Sequence, residues 1–275
     1  MPQGIERIVL PLDAASETAT AIDTAVRLAA RWHVPVRGVF IEDEELIGLA
    51  GLPFARQVTL GAGAEPLTRD QVEHHFRAAA ERARRELAAA GERHDVNWSF
   101  EVRRGPLRAD MLAGEHDLVV AGAVTRPVGG HFRLSSHCWS WLEVAERPFL
   151  LAKRAWETGG SVFTLLRGRG PQSVQTLGIA AQIAAFHSRT LTVAGAFGLA
   201  APDDFAAWVW GLLEGQSLNL QTEAQALEPA VLRQRILERD CRLLVLEADE
   251  QDGRTEELRE LVEHLTCDVL IVPLL

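Results

Sequence analysis

The sequence lacks the features that mark membrane-spanning, secreted and nucleic-acid-binding proteins. No apolar run approaches the roughly 20 residues that a membrane-spanning helix needs. The first residues contain no basic segment followed by an apolar one, as a secretory signal would. A net charge of −10 makes the molecule a poor partner for nucleic acid, which needs a concentrated basic face. We therefore expect a globular, cytoplasmic protein that binds neither membranes nor nucleic acid.

Cysteine and histidine patterns are also too sparse for a disulfide framework or a metal site. The three cysteines, Cys138, Cys241 and Cys267, are widely spaced and contain no CxxC pair. The adjacent pair His74 and His75 lacks the i, i+4 spacing with which a helix presents two metal ligands. A reducing compartment and the absence of a bound metal are the resulting expectations.

Catalytic motifs are missing as well. The sequence contains no nucleophile elbow, no HExxH, no Walker lysine and no carboxylate pair set by spacing. The segment from Gly168 to Ser173 resembles a dinucleotide fingerprint, but Ser173 replaces the third glycine and no clear acidic residue follows about twenty positions later. We interpret it as a turn, and Arg167 and Arg169 leave an anionic ligand open. No catalytic residue is predicted, and binding is favoured over catalysis.

What the sequence does contain is a regular alternation of apolar strands and amphipathic helices. The apolar run 8–12 ends at Asp13 and predicts a buried strand, and Ser16 can cap the helix that follows. A second apolar run, 36–41, predicts the next strand. This pattern is typical of a βαβ unit in a parallel sheet that is covered on both faces.

The alternation continues to about residue 151. Residues 42–67 are predicted to be irregular, and a loop of this length is usually functional or mobile. A long polar helix is expected at 68–90. The remaining predicted elements are strands at 97–102, 118–121 and 149–151 and short helices at 107–113 and 136–145.

The pattern then starts again after a linker at 154–160. Ser136 precedes Leu150 by 14 positions, and Thr255 precedes Val269 by 14 positions, as expected of two related units. We therefore predict two structural repeats, with domains at 1–154 and 160–275, in preference to one large doubly wound sheet. The predicted elements of the second repeat are strands at 162–166, 191–193, 243–246 and 269–272 and helices around 177–184 and 258–265.

Candidate ligand contacts follow from the sheet, because ligands of open parallel sheets bind beyond the carboxyl ends of the strands. Asp13 and Phe40 lie at the ends of the first two strands. The segment 122–136 follows the fourth strand, contains glycine, arginine and no acidic residue, and runs into a helix that begins near Ser135 and Ser136. Backbone N–H groups and a helix N-terminus favour an anion there. Asp13 could equally cap a helix, and the segment could be an ordinary connection.

On these residues the chain resembles the universal stress protein family in its tandem form. Nucleotide-binding members of that family carry an aspartate after strand one, matched by Asp13, and a G-x2-G-x9-G-(S/T) segment after strand four. The spacing of that segment is kept, with Thr125 and Ser135 at two of its three glycine positions. The resemblance implies two Rossmann-like (adenine nucleotide alpha hydrolase-like) domains, each a five-stranded parallel sheet with helices on both faces, paired along their fifth strands. It also implies ATP or AMP in domain 1, contacted by Asp13, Phe40, Gly122, Thr125, Gly129, Gly130, Ser135 and Ser136.

The second repeat departs further from this pattern. Arg167 stands where the first repeat has Asp13, and Glu247 stands in place of Gly122. The segment from Glu247 to Thr255 is also shorter, and acidic residues, which repel phosphate, fill it: Asp249, Glu250 and Asp252. We predict no nucleotide in domain 2.

Three functions remain open at this stage. The first is a non-enzymatic protein of the stress response that acts through dimerisation and a small-molecule ligand in domain 1. Its partners would be the second repeat within the chain and a second copy of the chain. The second is an ATP-binding universal stress protein with slow hydrolysis, and the third is a scaffold that docks a partner through loop 42–67.

Overall fold

The structure is a computed structural model that describes most of the chain. The described residues are 5–14, 18–59, 63–105, 114, 116–122, 124–128, 131–133, 147–155, 159–187, 190–195, 202–223, 229–248 and 262–273.

The chain begins with the predicted βαβ unit. Strand β1 (Arg7–Leu12) is followed by helix α1 (Thr18–Trp32) and strand β2 (Val36–Glu42). One face of α1 is buried, because apolar residues such as Ile22 recur at the spacing of a helical turn. The predicted cap Ser16 lies outside the described residues.

The segment predicted to be irregular contains regular elements. Helix α2 (Glu44–Ala50) begins after Asp43, whose carboxylate accepts hydrogen bonds from the N–H groups of residues 45 and 46 at 2.9 and 3.2 Å. Strands β3 (Arg56–Thr59) and β4 (Gly63–Pro66) then pair antiparallel. The expectation of an irregular loop was therefore wrong, because elements of four to seven residues are too short to show a clear period.

The long helix α3 (Arg69–His94) lies where the sequence predicts it and extends four residues further. Thr68 and Gln71 form a capping box at its start, which satisfies two backbone N–H groups that the first turn would leave unpaired. Strand β5 (Trp98–Arg104) follows and pairs with β2.

Four further strands complete the first half of the chain. They are β6 (Asp117–Gly122), β7 (Val124–Val128), β8 (His131–Arg133) and β9 (Phe149–Ala152). Strands β7 and β8 form a separate antiparallel pair, so part of the predicted loop 122–136 is extended structure. The helices predicted at 107–113 and 136–145 lie outside the described residues.

The second half repeats the alternation of strands and helices. Its predicted strands and its predicted helix around 177–184 are confirmed, and residues 258–261 of the predicted helix 258–265 lie outside the described residues. Helices α5 and α6 and strand β12 were not predicted. In chain order the elements are β10 (Ser161–Leu166), α4 (Pro171–His187), β11 (Thr190–Gly195), α5 (Pro202–Leu212), β12 (Asn219–Glu223), α6 (Pro229–Glu238), β13 (Cys241–Ala248) and β14 (Asp268–Pro273).

Ten of these strands form one sheet in the order β12-β11-β10-β13-β14-β9-β6-β1-β2-β5. The first half-sheet, β5-β2-β1-β6-β9, and the second half-sheet, β12-β11-β10-β13-β14, are each parallel and wound in the same order. They join through antiparallel pairing of β9 with β14. The two repeats therefore share one continuous sheet rather than forming separate ones, and the domain limits at 154 and 160 stay a prediction.

The strand registers relate the two half-sheets by an approximate twofold axis. Ile8 pairs with Leu118 in the first half-sheet and Val162 pairs with Leu243 in the second, so Leu118 and Leu243 are equivalent. Following the registers to the fifth strands makes Leu150 equivalent to Leu270. These two leucines face each other across the joint, which places the axis between them.

Apolar side chains cover both faces of the sheet. Ile8, Leu10 and Phe40 belong to one buried cluster, whereas the intervening Val9 and Val39 belong to another. Burial on both faces explains why these strands are apolar throughout instead of alternating with polar residues.

Candidate functional site

The carboxyl edge of the first half-sheet brings two of the predicted ligand residues together. Strand β1 lies between β2 and β6, so the direction of winding reverses at the boundary between β1 and β6. Asp13 follows the end of β1, and Gly122 is the last residue of β6. The structure thus places both at the crevice where open parallel sheets bind ligands.

Phe40 lies at the same edge but in a different role. It pairs with Leu12 in the sheet, and its side chain is fully buried in the core. A ligand at this edge could therefore contact the backbone of Phe40 and not its ring.

The predicted phosphate segment is described in part. Thr125 lies in β7, directly after the end of β6. Gly129, Gly130, Ser135 and Ser136 lie outside the described residues, so their contact with a phosphate stays a prediction.

The corresponding edge of the second half-sheet contains a carboxylate of the protein itself. The registers make Glu247 equivalent to Gly122 and Arg167 equivalent to Asp13. Glu247 Oε2 accepts a hydrogen bond from the backbone N–H of Arg167 at 2.6 Å and one from Ser173 Oγ at 3.2 Å. The side chain of Glu247 is buried, with a residue exposure of 5%.

This arrangement gives the sequence difference at Glu247 a physical meaning. The Glu247 carboxylate accepts a hydrogen bond from the turn before α4, where an incoming anion would otherwise approach. The negative charge of the carboxylate would repel that anion. The substitution was visible in the sequence, but its bonds to Arg167 and Ser173 were not. The acidic residues predicted to repel phosphate, Asp249, Glu250 and Asp252, lie outside the described residues.

A second buried polar group lies at the joint between the half-sheets. Lys153 follows β9, and its ammonium group donates to the carbonyl oxygens of Val262 and, at 2.8 Å, of Leu265. Asp268, at the start of β14, accepts the backbone N–H groups of Lys153 at 2.7 Å and Arg154 at 3.2 Å. Lys153 therefore satisfies carbonyl groups just before β14 by donating hydrogen bonds, and Asp268 accepts hydrogen bonds from the chain that leaves β9.

Burial shifts the pKa values of both Lys153 and Asp268. Desolvation lowers the pKa of Lys153 to about 8 and raises the pKa of Asp268 to about 6, although each charge favours the ionised form of the other. Cys267 lies beside them, and a hydrogen bond with the thiol of Cys241 lowers the pKa of Cys267. Both thiols are free and buried, and Cys138 lies outside the described residues.

The segment between β2 and α3, residues 43–68, exposes apolar side chains on the surface of the first half. Leu49 is 53% exposed and Phe54 is 74% exposed, with Leu46 and Leu52 nearby. Between α2 and α3 lies an open groove of about 510 Å³. Its lining consists of Leu46, Leu67, Gln71, Val72, His74, His75 and Ala78.

Two negative findings apply to the part of the chain that the structure describes. Within it, no three His, Cys, Asp or Glu side chains are grouped as a metal site would require. None of its helices combines the length and apolar character needed to cross a membrane.

Comparison with known proteins finds similarity in structure rather than in sequence. No protein-family model matches the chain, and no curated protein sequence matches it significantly. A universal stress protein from Archaeoglobus fulgidus has a TM-score of 0.65 at 10% identity, with 97% of this chain and 96% of that chain covered. A proposed universal stress protein from Pseudomonas aeruginosa has a TM-score of 0.62 at 13% identity, with 99% and 94% covered. The chain therefore has the fold of the universal stress proteins over nearly its whole length.

Proposed function

We propose that this chain is a non-enzymatic, cytoplasmic protein of the stress response that binds a small anionic ligand in its first half and acts as a homodimer. The fold of the universal stress proteins, present along nearly the whole chain, supports the general class. The sequence contains no catalytic motif that would support an enzymatic role.

The difference between the two carboxyl edges carries this proposal. Asp13 and Gly122 lie at the first edge, and a glycine adds no side chain that would hinder a ligand. At the equivalent place in the second half-sheet, the buried carboxylate of Glu247 already accepts the N–H of Arg167. One chain therefore contains both an edge suited to an anion and an edge closed to it.

The ligand that best fits the first edge is an adenine nucleotide, ATP or AMP. Asp13 is suited to accept hydrogen bonds from a ribose or a base, and backbone N–H groups after Gly122 are suited to phosphate. The second half-sheet is proposed to bind no nucleotide and to serve in pairing with the first.

Titration calorimetry with ATP and magnesium tests this proposal. Gly122→Glu copies the side chain of the second half-sheet into the first and should abolish binding, and Asp13→Ala should weaken it. Gly211→Glu is a matched control, because it introduces the same charge at an exposed glycine of α5 where an added Cβ would meet open space.

Three results would decide the matter. Binding that is lost in Gly122→Glu and retained in Gly211→Glu supports the site. Absence of binding by the unchanged protein, or equal binding by Gly122→Glu, contradicts it. Release of phosphate from ATP that depends on Asp13 would favour the alternative of an ATP-binding protein with slow hydrolysis.

The exposed apolar side chains between β2 and α3 support a second candidate function, that of a scaffold which docks a partner through residues 42–67. Leu49 and Phe54 contribute large apolar surface that a binding partner would remove from water. Replacing both by serine should leave the free energy of unfolding nearly unchanged and abolish such docking. Unchanged co-purification of partners with this variant would remove the candidate.

A further inference from the structure

The antiparallel joint limits where a second copy of the chain can bind. Strands β9 and β14 pair with each other inside one chain, so neither presents an open edge to another molecule. In the described part of the structure, the sheet ends at β5 on one side and β12 on the other. An edge strand is a template for pairing with another chain.

The backbone of β5 is oriented for such pairing. Asn97 O accepts the N–H of Val36 at 2.9 Å, and the N–H of Gly105 donates to Glu42 O at 3.2 Å. The N–H and C=O groups of successive residues in a strand point in alternate directions, so these groups of the odd-numbered residues of β5 point toward β2. The N–H and C=O groups of Phe100, Val102 and Arg104 therefore point away from β2.

The side chains of β5 are complementary to those of a second, antiparallel copy. If Val102 lies opposite its counterpart on a twofold axis, Phe100 lies opposite Arg104, and Glu101 lies opposite Arg103. The first two kinds of pair would exchange about six backbone hydrogen bonds. Glu101 and Arg103 would form opposite-charge pairs on both sides of the axis, and such cross-strand pairs stabilise a sheet.

The charges on this strand already attract each other within one chain. Arg103 lies 2.8 Å from a carboxylate oxygen of Glu101, and Arg37 lies 2.6 Å from the same oxygen. In the antiparallel pair, the two Glu101 and two Arg103 side chains would alternate in sign on one face of the sheet. Moving the twofold axis by one residue would instead place Glu101 opposite its own counterpart, a like charge, or opposite Gly105.

The face of β5 that carries Phe100 and Val102 offers space for side chains of the incoming strand, which itself lies beside β5 in the plane of the sheet. An open groove of about 770 Å³ runs between α3 and β5. Phe100 and Val102 line it from the strand, and His74, Arg77 and Glu81 line it from the helix. Val102 is 50% exposed, so pairing would remove an apolar side chain from water.

We propose that β5 is the homodimer interface, and that a second copy of this chain adds its own β5 antiparallel in a register centred on Val102. The proposal rests on the homodimer proposed above and assigns its surface. It differs from the pairing of fifth strands, which the chain completes within itself.

Sedimentation equilibrium with charge-exchanged variants tests the proposal. The unchanged protein should dimerise, whereas Arg103→Glu places like charges opposite each other and should raise the dimer dissociation constant on the order of tenfold to a hundredfold. Combining Glu101→Arg and Arg103→Glu with Arg37→Glu restores opposite charges across the axis and keeps a partner of opposite charge for residue 101 within the chain, so this triple variant should restore the dimer. Arg233→Glu, the same charge change on the exposed surface of α6, is the matched control and should leave the dimer intact.

A second variant tests the backbone bonds. Val102→Pro removes an N–H that points away from β2, and proline is tolerated on an edge strand when its nitrogen faces outward. The far-UV spectrum should remain that of the folded protein, while the dimer dissociates.

The outcomes test the interface, its register and the existence of the dimer separately. A dimer that persists in both Arg103→Glu and Val102→Pro overturns this interface and leaves homodimerisation standing. A triple variant that stays monomeric overturns the register. An unchanged protein that is monomeric at all concentrations overturns the dimer in both proposals, while nucleotide binding is judged by calorimetry alone.

Discussion

Replacing Asp268 by asparagine should change how stability depends on pH. Asp268 is 5% exposed, and one of its carboxylate oxygens accepts both the N–H of Lys153 and the N–H of Arg154. An asparagine oxygen can accept the same two hydrogen bonds, so the variant removes the negative charge with little change in shape. The difference between the two proteins therefore reports on ionisation.

The sign and size follow from the shifted pKa. Burial raises the pKa of Asp268 to about 6 from an ordinary value of 3.8. Between these values the folded protein holds a proton that the unfolded chain has released, so the contribution of Asp268 to stability is lost as the pH rises. The shift corresponds to a loss of about 3 kcal/mol from pH values below 3.8 to values above 6, most of which falls between pH 4 and pH 7. The asparagine variant lacks this loss.

Urea unfolding, followed by tryptophan fluorescence at several pH values, measures the effect. We expect the free energy of unfolding of the unchanged protein to fall relative to that of Asp268→Asn as the pH rises from 4 to 7. Asp204→Asn, which removes an exposed carboxylate from α5, controls for the change in net charge. Parallel pH curves for the unchanged protein and Asp268→Asn would refute the reasoning.

Two further predictions concern packing and capping. Gly38→Ala should destabilise the protein by about 1–3 kcal/mol, because the added Cβ would lie 2.8 Å from Leu87 Cδ2 and 3.0 Å from Phe100 Cδ2. Gly178→Ala, at a helical glycine with open space, should instead stabilise the protein by up to about 1 kcal/mol. Equal thermal unfolding of the two variants would contradict the packing argument. Thr68→Ala should cost about 1 kcal/mol in urea unfolding because it removes the cap of α3, whereas Thr68→Ser should retain most of that stability; equal losses in both variants would show that the hydroxyl does not act as a cap.

The strands of the sheet interior were predictable because their apolar runs are continuous. Residues 8–12 and 243–246 are buried on both faces of a parallel sheet, which leaves no polar position to interrupt the pattern. Strand β12 (Asn219–Glu223) is an edge strand with mostly polar residues, so it gave no such signal. Short elements after β2 were missed for the related reason that a seven-residue helix spans less than two turns, which is too short to show a repeating pattern.

The candidate site was predictable in position and only partly in chemistry. Asp13 and Gly122 follow from the rule that ligands bind at carboxyl ends of parallel strands, and the sheet order places them together. The contact of Lys153 with carbonyls more than 100 positions later depends on the antiparallel joint, which no local pattern encodes. The bonds of Glu247 to Arg167 and Ser173 likewise require the fold.

The joining of two half-sheets in one polypeptide has a consequence for how the two edges can differ. A symmetric pair of identical chains must present the same residue at both equivalent positions, so any substitution that fills the crevice of one chain also fills the crevice of the other. Covalent linkage removes that constraint. This chain can hold glycine at position 122 and glutamate at position 247, so the two structurally equivalent positions carry side chains of different size and charge.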